Sequence, residues 1–142
     1  MLTRKTTFAL LVLAFLLVTP VSAQGWTWPA DGEVLRGFEF GGEEYREHGH
    51  TGIDVAGTAA AVVPAPATGR VSFAGALPTH GRTVTIRTPE GFAVTLLHLG
   101  SIAVAAGDGV VEGEPVGTIG PSGDAEFDAP YLHLGIRRAD DP

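Results

Sequence analysis

"RTVTIRTPEGFAVTLLHLG", Arg82 to Gly100, decides the fold class. In an extended chain Val84 and Ile86 point one way, and Thr83, Thr85 and Arg87 the other, which is the period of a half-buried strand. Thr88-Pro89-Glu90-Gly91 then reads as a turn, and Phe92 to Leu99 as a second strand, so the stretch is a β-hairpin. Outward from it lie more short runs rich in Val, Ile, Thr, Phe or Leu: "GRVSFAGAL" (69–77), "EPVGTIG" (114–120) and "YLHLGIR" (131–137). Glycine (20 residues) and proline (10 residues) punctuate them. Past the N-terminal segment, no run longer than about ten residues repeats its apolar positions with helical period. The alanine-rich "AGTAAAVVPAPA" (56–67) is stopped by Pro64 and Pro66, which argues against helix. The expected architecture is all-β: a single, mainly antiparallel domain of short strands, without internal repeats.

The first residues belong to a different problem. "MLTRKTTFALLVLAFLLVTPVSAQ" carries Arg4 and Lys5, then an apolar run from Phe8 to Val18, then Pro20 and the small residues Val21-Ser22-Ala23. This is the pattern of a signal peptide over residues 1–23, cut before Gln24. The run is too short to cross a hydrocarbon core, which needs about 20 apolar residues. The alternative is an uncleaved N-terminal anchor. The reading is an exported protein, extracellular or in the periplasm or cell wall, with no stable membrane insertion after processing.

Residues 24–142 then form one domain, long enough for one core and too short for two. It keeps 7 basic against 16 acidic side chains, a net charge near −9. That sign repels phosphate backbones and anionic lipid, so nucleic acid is not an expected partner. With no cysteine in the chain, a disulfide scaffold is excluded. Burial must hold the domain together, with or without a metal.

Two constellations can carry chemistry. In "EHGHTGIDVAG" (47–57), His50 and Asp54 would stand about 13 Å apart in an extended strand, at roughly 3.3 Å per residue. Two ligands of one zinc lie about 3 to 3.5 Å apart. A shared metal therefore requires a bend, and Thr51-Gly52 is where glycine permits one. Ile53 then points away from Asp54 toward the core. Taken alone, the spacing fits a polar turn as well as a metal site. In "PYLHLGI" (130–136), alternation puts Tyr131 and His133 on one face and Leu132 and Leu134 on the other. His98, at the end of the hairpin's second strand, is a third histidine embedded in β structure. Any one of these can be a core histidine satisfied by a hydrogen bond; three of them with Asp54 in one small domain make that reading harder to hold.

Taken in order and spacing, "HTGIDVA", "VVPAPATGRVSFAG", "LLHLGSIAVAAGDGVVEGEPVGTIGPSG" and "YLHLGI" resemble the lysostaphin-type (LytM-type, β-lytic) zinc metallopeptidases, which cut the peptide part of bacterial peptidoglycan. The likeness runs from about Trp28 to Arg138. It implies a mainly antiparallel β fold of the barrel-sandwich hybrid type, with the metal site in a groove. It implies one Zn2+ per chain, held by the His and Asp of an H-x-G-x-D motif and the last His of an H-x-H motif, which fall on His50, Asp54 and His133. It also assigns catalysis to a further histidine before a Ser-Ile turn, here His98. Two positions depart from the pattern: the first histidine of H-x-H is Tyr131, and the tyrosine usual two residues before the catalytic histidine is Leu96. Tyr131 can still donate a hydrogen bond to an oxyanion, although with a pKa near 10 it is a poor base at neutral pH.

The resemblance implies a zinc metalloendopeptidase acting on peptidoglycan peptide; with the signal segment the reading is a secreted enzyme, expected to be a monomer. The alternative is a wall-binding or regulatory module that keeps the zinc and lacks full catalysis. A third class, a lipoyl- or biotinyl-type carrier suggested by "AAGDGVVEGEPVGTIG", fails because no lysine follows Lys5. His48 is either a loop residue or a substitute ligand. His80 reads as a solvated turn residue. Asp124, Glu126 and Asp128 read as a solvated acidic loop, or as part of a calcium site that lacks the rest of its loop. Trp26, Trp28 and Pro29 pack the N-terminal arm or hold glycan.

Overall fold

The computed structural model describes residues 25–39 and 49–140. The expected signal segment, with its cleavage point, and His48 lie outside them. The described residues form nine strands and no helix: β1 (Val34–Arg36), β2 (Ile53–Ala56), β3 (Val62–Pro64), β4 (Gly69–Leu77), β5 (Gly81–Arg87), β6 (Phe92–Ile102), β7 (Gly109–Val110), β8 (Pro115–Ile119) and β9 (Tyr131–Arg138). Every ladder is antiparallel. The order β1-β2-β9-β6-β5-β4-β7 runs open, while β8 branches from β6 and carries β3.

The hairpin read from the sequence is β5–β6. Thr88 N–H donates to Phe92 O at 2.9 Å, and Gly91 takes the left-handed φ of +86° that closes the turn. The alternation seen in β5 persists: Val84 and Ile86 are buried and join the core with Val94, Leu96, Leu99 and Leu132. Removing each such side chain from water is worth about 1.5–3 kcal/mol, which makes this cluster the main source of stability in a chain without cysteine. Pro64 is tolerated because β3 pairs on one side only, with β8.

β6 organises the site. It lies along β5 on one edge, and on the other it pairs first with β9, as far as Leu97↔His133, and then with β8, from Leu99↔Ile119. The change of partner falls on His98.

Candidate metal centre

Asp54 and His133 are direct cross-strand partners on β2 and β9. Their side chains therefore leave the sheet on the same face, a few ångströms apart. His50 lies just before β2, held by a two-way backbone bridge to Glu39. Between them the chain bends at Gly52, as the ligand spacing required. The physical reason for glycine is space: a Cβ there would meet Leu134 O at 2.4 Å and His133 Nε2 at 2.5 Å. Gly52 is not in the left-handed region, so its conformational freedom is not what the site uses.

The protons of this trio can be traced. His50 Nδ1–H donates to Gly37 O at 2.7 Å, so a neutral His50 ring carries a lone pair on Nε2. His133 Nδ1 lies 2.9 Å from Asp54 Oδ1, where it donates if protonated and offers a lone pair to a shared cation if not. His50 Nε2 lies 3.1 Å from His133 Nδ1 and 3.0 Å from Asp54 Oδ2. With His50 neutral, that last contact sets one acceptor against another; Asp54 Oδ2 is buried with no hydrogen-bond partner. All three residues are buried, with 8%, 2% and 9% of their surfaces exposed for His50, Asp54 and His133. A carboxylate so enclosed is costly unless a cation or donors answer it. Burial holds the His133 imidazole below its ordinary pKa, with the Asp54 hydrogen bond acting in the opposite sense, which favours the neutral, metal-ligating form.

These residues fit zinc. Two imidazole nitrogens and a carboxylate are a zinc donor set, and ligand atoms around a tetrahedral zinc stand about 3.3 Å apart for bonds near 2.0 Å. The observed spacings of 2.9, 3.0 and 3.1 Å approach that value. Among the described residues this is the one group of three such side chains able to share an ion. The acidic run Asp124, Glu126 and Asp128 forms no second one.

The opposite wall of the cleft is made of irregular backbone. On β5, Val84 and Arg82 pair with Leu96 and Leu99, so two residues, Leu97 and His98, oppose one, Thr83. This is a β-bulge, and His98 occupies it with a left-handed φ of +61°. A straight strand would put His98 on the same face as Leu96, which is fully buried in the core. The bulge re-aims it into a cleft of about 250 Å3 that it shares with His50, Asp54, Tyr131 and His133. Its Nδ1–H donates to Ser122 O at 2.8 Å, leaving Nε2 free to accept.

Tyr131 and His133 share the cleft face while Leu132 and Leu134 enter the core, as alternation predicts. The Tyr131 ring packs on His98 and Phe127, each at 5.1 Å between centroids. Its hydroxyl accepts the Glu126 N–H at 3.0 Å, which leaves its own proton to donate. Burial pushes its pKa above the ordinary value, so it stays protonated at neutral pH. Leu96 is a core residue rather than a member of the cleft.

Three wall residues were not singled out for the site by their sequence. His80 sits in an exposed turn as expected, yet it lines the cleft and its carbonyl accepts the His98 N–H at 3.0 Å. Asp124 and Glu126 also line it. Their alternation immediately before the Tyr131 strand was the available signal. Arg36, on β1, ties Glu126 at 2.7 Å and Glu39 at 3.1 Å, and nothing in the sequence links it to a residue 90 positions away. Trp26 packs edge-on to Phe92 at 6.1 Å, so the N-terminal arm does lie on the sheet, with both tryptophans half exposed.

Fold and groove together define a small antiparallel β domain with a His–Asp–His face able to hold a metal. The chain belongs to Peptidase family M23, whose model matches residues 48–142. It is 33% identical over 119 residues to the murein hydrolase activator NlpD of Salmonella typhimurium, covering 83% of this chain and 29% of that protein. It is 31% identical over 123 residues to outer membrane antigenic lipoprotein B of Haemophilus influenzae, covering 85% of this chain and 28% of that protein. The chain thus spans under a third of the length of these curated relatives. Among solved structures, a zinc-containing peptidase from Vibrio cholerae superposes with a TM-score of 0.72 at 24% identity, over 84% of this chain and 38% of that one. The catalytic domain of lysostaphin from Staphylococcus simulans superposes at 0.63 and 23% identity, over 78% and 81%. Both share the fold, and the family expected from the motifs is the family found.

Proposed function

We propose that this domain is an exported zinc metalloendopeptidase that hydrolyses peptide bonds in bacterial peptidoglycan, working as a monomer. The observation that carries the reading is the buried trio itself: Asp54 Oδ2 has no hydrogen-bond partner and lies 3.0 Å from His50 Nε2, with His133 Nδ1 beside both. His50, Asp54 and His133 would hold the zinc. When bound, zinc supplies Lewis acidity, lowering the pKa of a coordinated water from 15.7 toward about 7 and polarising the scissile carbonyl. His98, with its proton fixed on Nδ1, offers Nε2 to take a proton from the attacking water and return it to the leaving amine. Tyr131 would donate a hydrogen bond from its hydroxyl to the developing oxyanion and keep its proton.

A second reading rests on Tyr131. With tyrosine where the family pattern has a histidine, the cleft lacks one imidazole base, and the hydroxyl is already engaged by the Glu126 N–H. The relative named a murein hydrolase activator fits that reading: a module that keeps its zinc, binds the wall or a murein hydrolase, and does not itself cut. Zinc content and digestion of purified peptidoglycan separate the two. The peptidase reading expects one zinc per chain, well under one in Asp54→Ala and His133→Ala, and new amino termini released by wild type alone. Full zinc in both variants would overturn the ligand assignment. Full zinc in wild type with an intact wall would favour the regulator.

A further inference from the structure

We infer that Ser122 is a positioning residue that fixes the tautomer and aim of His98, an inference that rests on the reading of His98 as the base. The bulge at His98 breaks the ladder between β5 and β6: Val84↔Leu96 is the pair on one side of it and Arg82↔Leu99 the pair on the other. The Ser122 hydroxyl fills that gap. It donates to Leu99 O at 2.6 Å and accepts the Arg82 N–H at 2.9 Å, joining the two strands where they part. The carbonyl of the same residue accepts the His98 Nδ1–H at 2.8 Å. One serine therefore closes the bulge with its side chain and orients the histidine that the bulge displays with its backbone.

The surrounding chain has no slack. A Cβ on Gly81 would come within 2.4 Å of Ser122, and a Cβ on Gly123 within 2.4 Å of Gly81 N. Asp124 N–H ties the far side of the loop to Thr79 O at 2.8 Å. A carbonyl oxygen can only accept, so its place beside Nδ1 excludes the tautomer protonated on Nε2 alone. Without the hydroxyl, the loop loses its two ties to β5 and β6 next to this carbonyl and keeps the Asp124–Thr79 bond on its far side. The ring is then free to turn or exchange tautomers, and Nε2 offers its lone pair for only part of the time.

The test is side-chain 15N NMR of the zinc-loaded protein, in wild type and Ser122→Ala. Wild type should show His98 with a protonated Nδ1 and a bare Nε2; Ser122→Ala should show a mixture or exchange-broadened signals. Zinc content should be unchanged, and kcat on peptidoglycan peptide should fall about tenfold at constant KM, a part of the factor general-base catalysis supplies. Ser122→Cys, which fills the same place with a weak donor, is the second variant should the alanine protein not fold, and it should show the same mixture. A single Nδ1–H tautomer in the variant that folds, or a proton on Nε2 in wild type, overturns the assignment. If wild type cuts nothing, the peptidase reading fails, while the NMR comparison still decides the role of Ser122.

Discussion

The two walls of the cleft are built from different materials. Asp54 and His133 stand opposite each other in the β2–β9 ladder, enclosed, with little room around them. Facing them, His98 sits on a bulge, His80 in a turn, and Asp124 and Glu126 on an exposed loop. Two of the three residues able to share an ion come from regular pairing, where register fixes them, and His50 from an isolated bridge beside it; the facing His98, His80, Asp124 and Glu126 come from irregular backbone, which can be reshaped without disturbing the sheet. This chain's departure from the family pattern, tyrosine for histidine at position 131, faces the second wall and leaves the three metal-capable residues in place.

The largest expected effect strikes the ladder wall. Gly52→Ala places a methyl group 2.4 Å from Leu134 O and against the His133 ring. The neighbours are backbone and a packed imidazole, so the sheet must shift. Overpacking of this kind costs about 1–3 kcal/mol, and His133 moves out of reach of Asp54. Zinc should fall well below one equivalent, with activity lost and the melting temperature lowered. Gly109→Ala is the control: nothing lies within 4 Å of a Cβ at this β7 position, and both readouts should match wild type. Full zinc in Gly52→Ala would break the contrast, because the ladder wall would then be as pliable as the loop wall.

The same division marks how far the sequence could be read. Strands with a readable β pattern were legible: β4 matches "GRVSFAGAL" from end to end, and β5, β6, β8 and β9 differ from their expected bounds by one to three residues at the ends. β1, β3 and β7 were not, since two or three residues show no period. Alternation and the bend brought His50, Asp54 and His133 forward as candidates, and the resemblance to the zinc peptidases, not the spacing, made them a ligand set. The bulge was not. Its evidence is a register shift between strands, and "TLLHLG" looks continuous when read alone. The tie from Arg36 to Glu126 was hidden for the same reason, being a contact between distant segments with no local signature.

A smaller effect is expected at Tyr131, where the altered pattern can be tested directly. Tyr131→Phe keeps the ring against His98 and Phe127 and deletes only the hydroxyl. If the hydroxyl serves the oxyanion, kcat should fall about 10²–10³-fold, the typical loss for one such donor, with zinc content unchanged. The deletion also strips the Glu126 N–H of its partner, so the melting temperature should be read beside the rate. Tyr131→His restores the family's base at this position. Should wild type prove inactive while Tyr131→His cuts peptidoglycan, both with full zinc, the natural domain is a zinc-holding regulator and the peptidase reading falls.

The smallest effect is expected at the rim, where Arg36 holds Glu39 and Glu126. Both pairs face solvent, where an ion pair contributes little because water and salt screen it. The hydrogen bond from Arg36, then its charge, holds the Glu39 carboxyl below its ordinary pKa. The sign follows from that depression. The stabilisation is fully present above the unfolded carboxyl's pKa, about 4.3, and disappears as pH falls through the lower folded value. Arg36→Ala should therefore melt slightly below wild type at neutral pH, and the difference should close only in the acid range below that pKa. Added salt should shrink it at every pH. Zinc content should be unaffected, because the bond that orients His50 comes from the Gly37 carbonyl and not from the Arg36 side chain. If Arg36→Ala instead loses zinc as Gly52→Ala should, the rim is continuous with the ladder wall, and the two walls of the cleft are one mechanical unit.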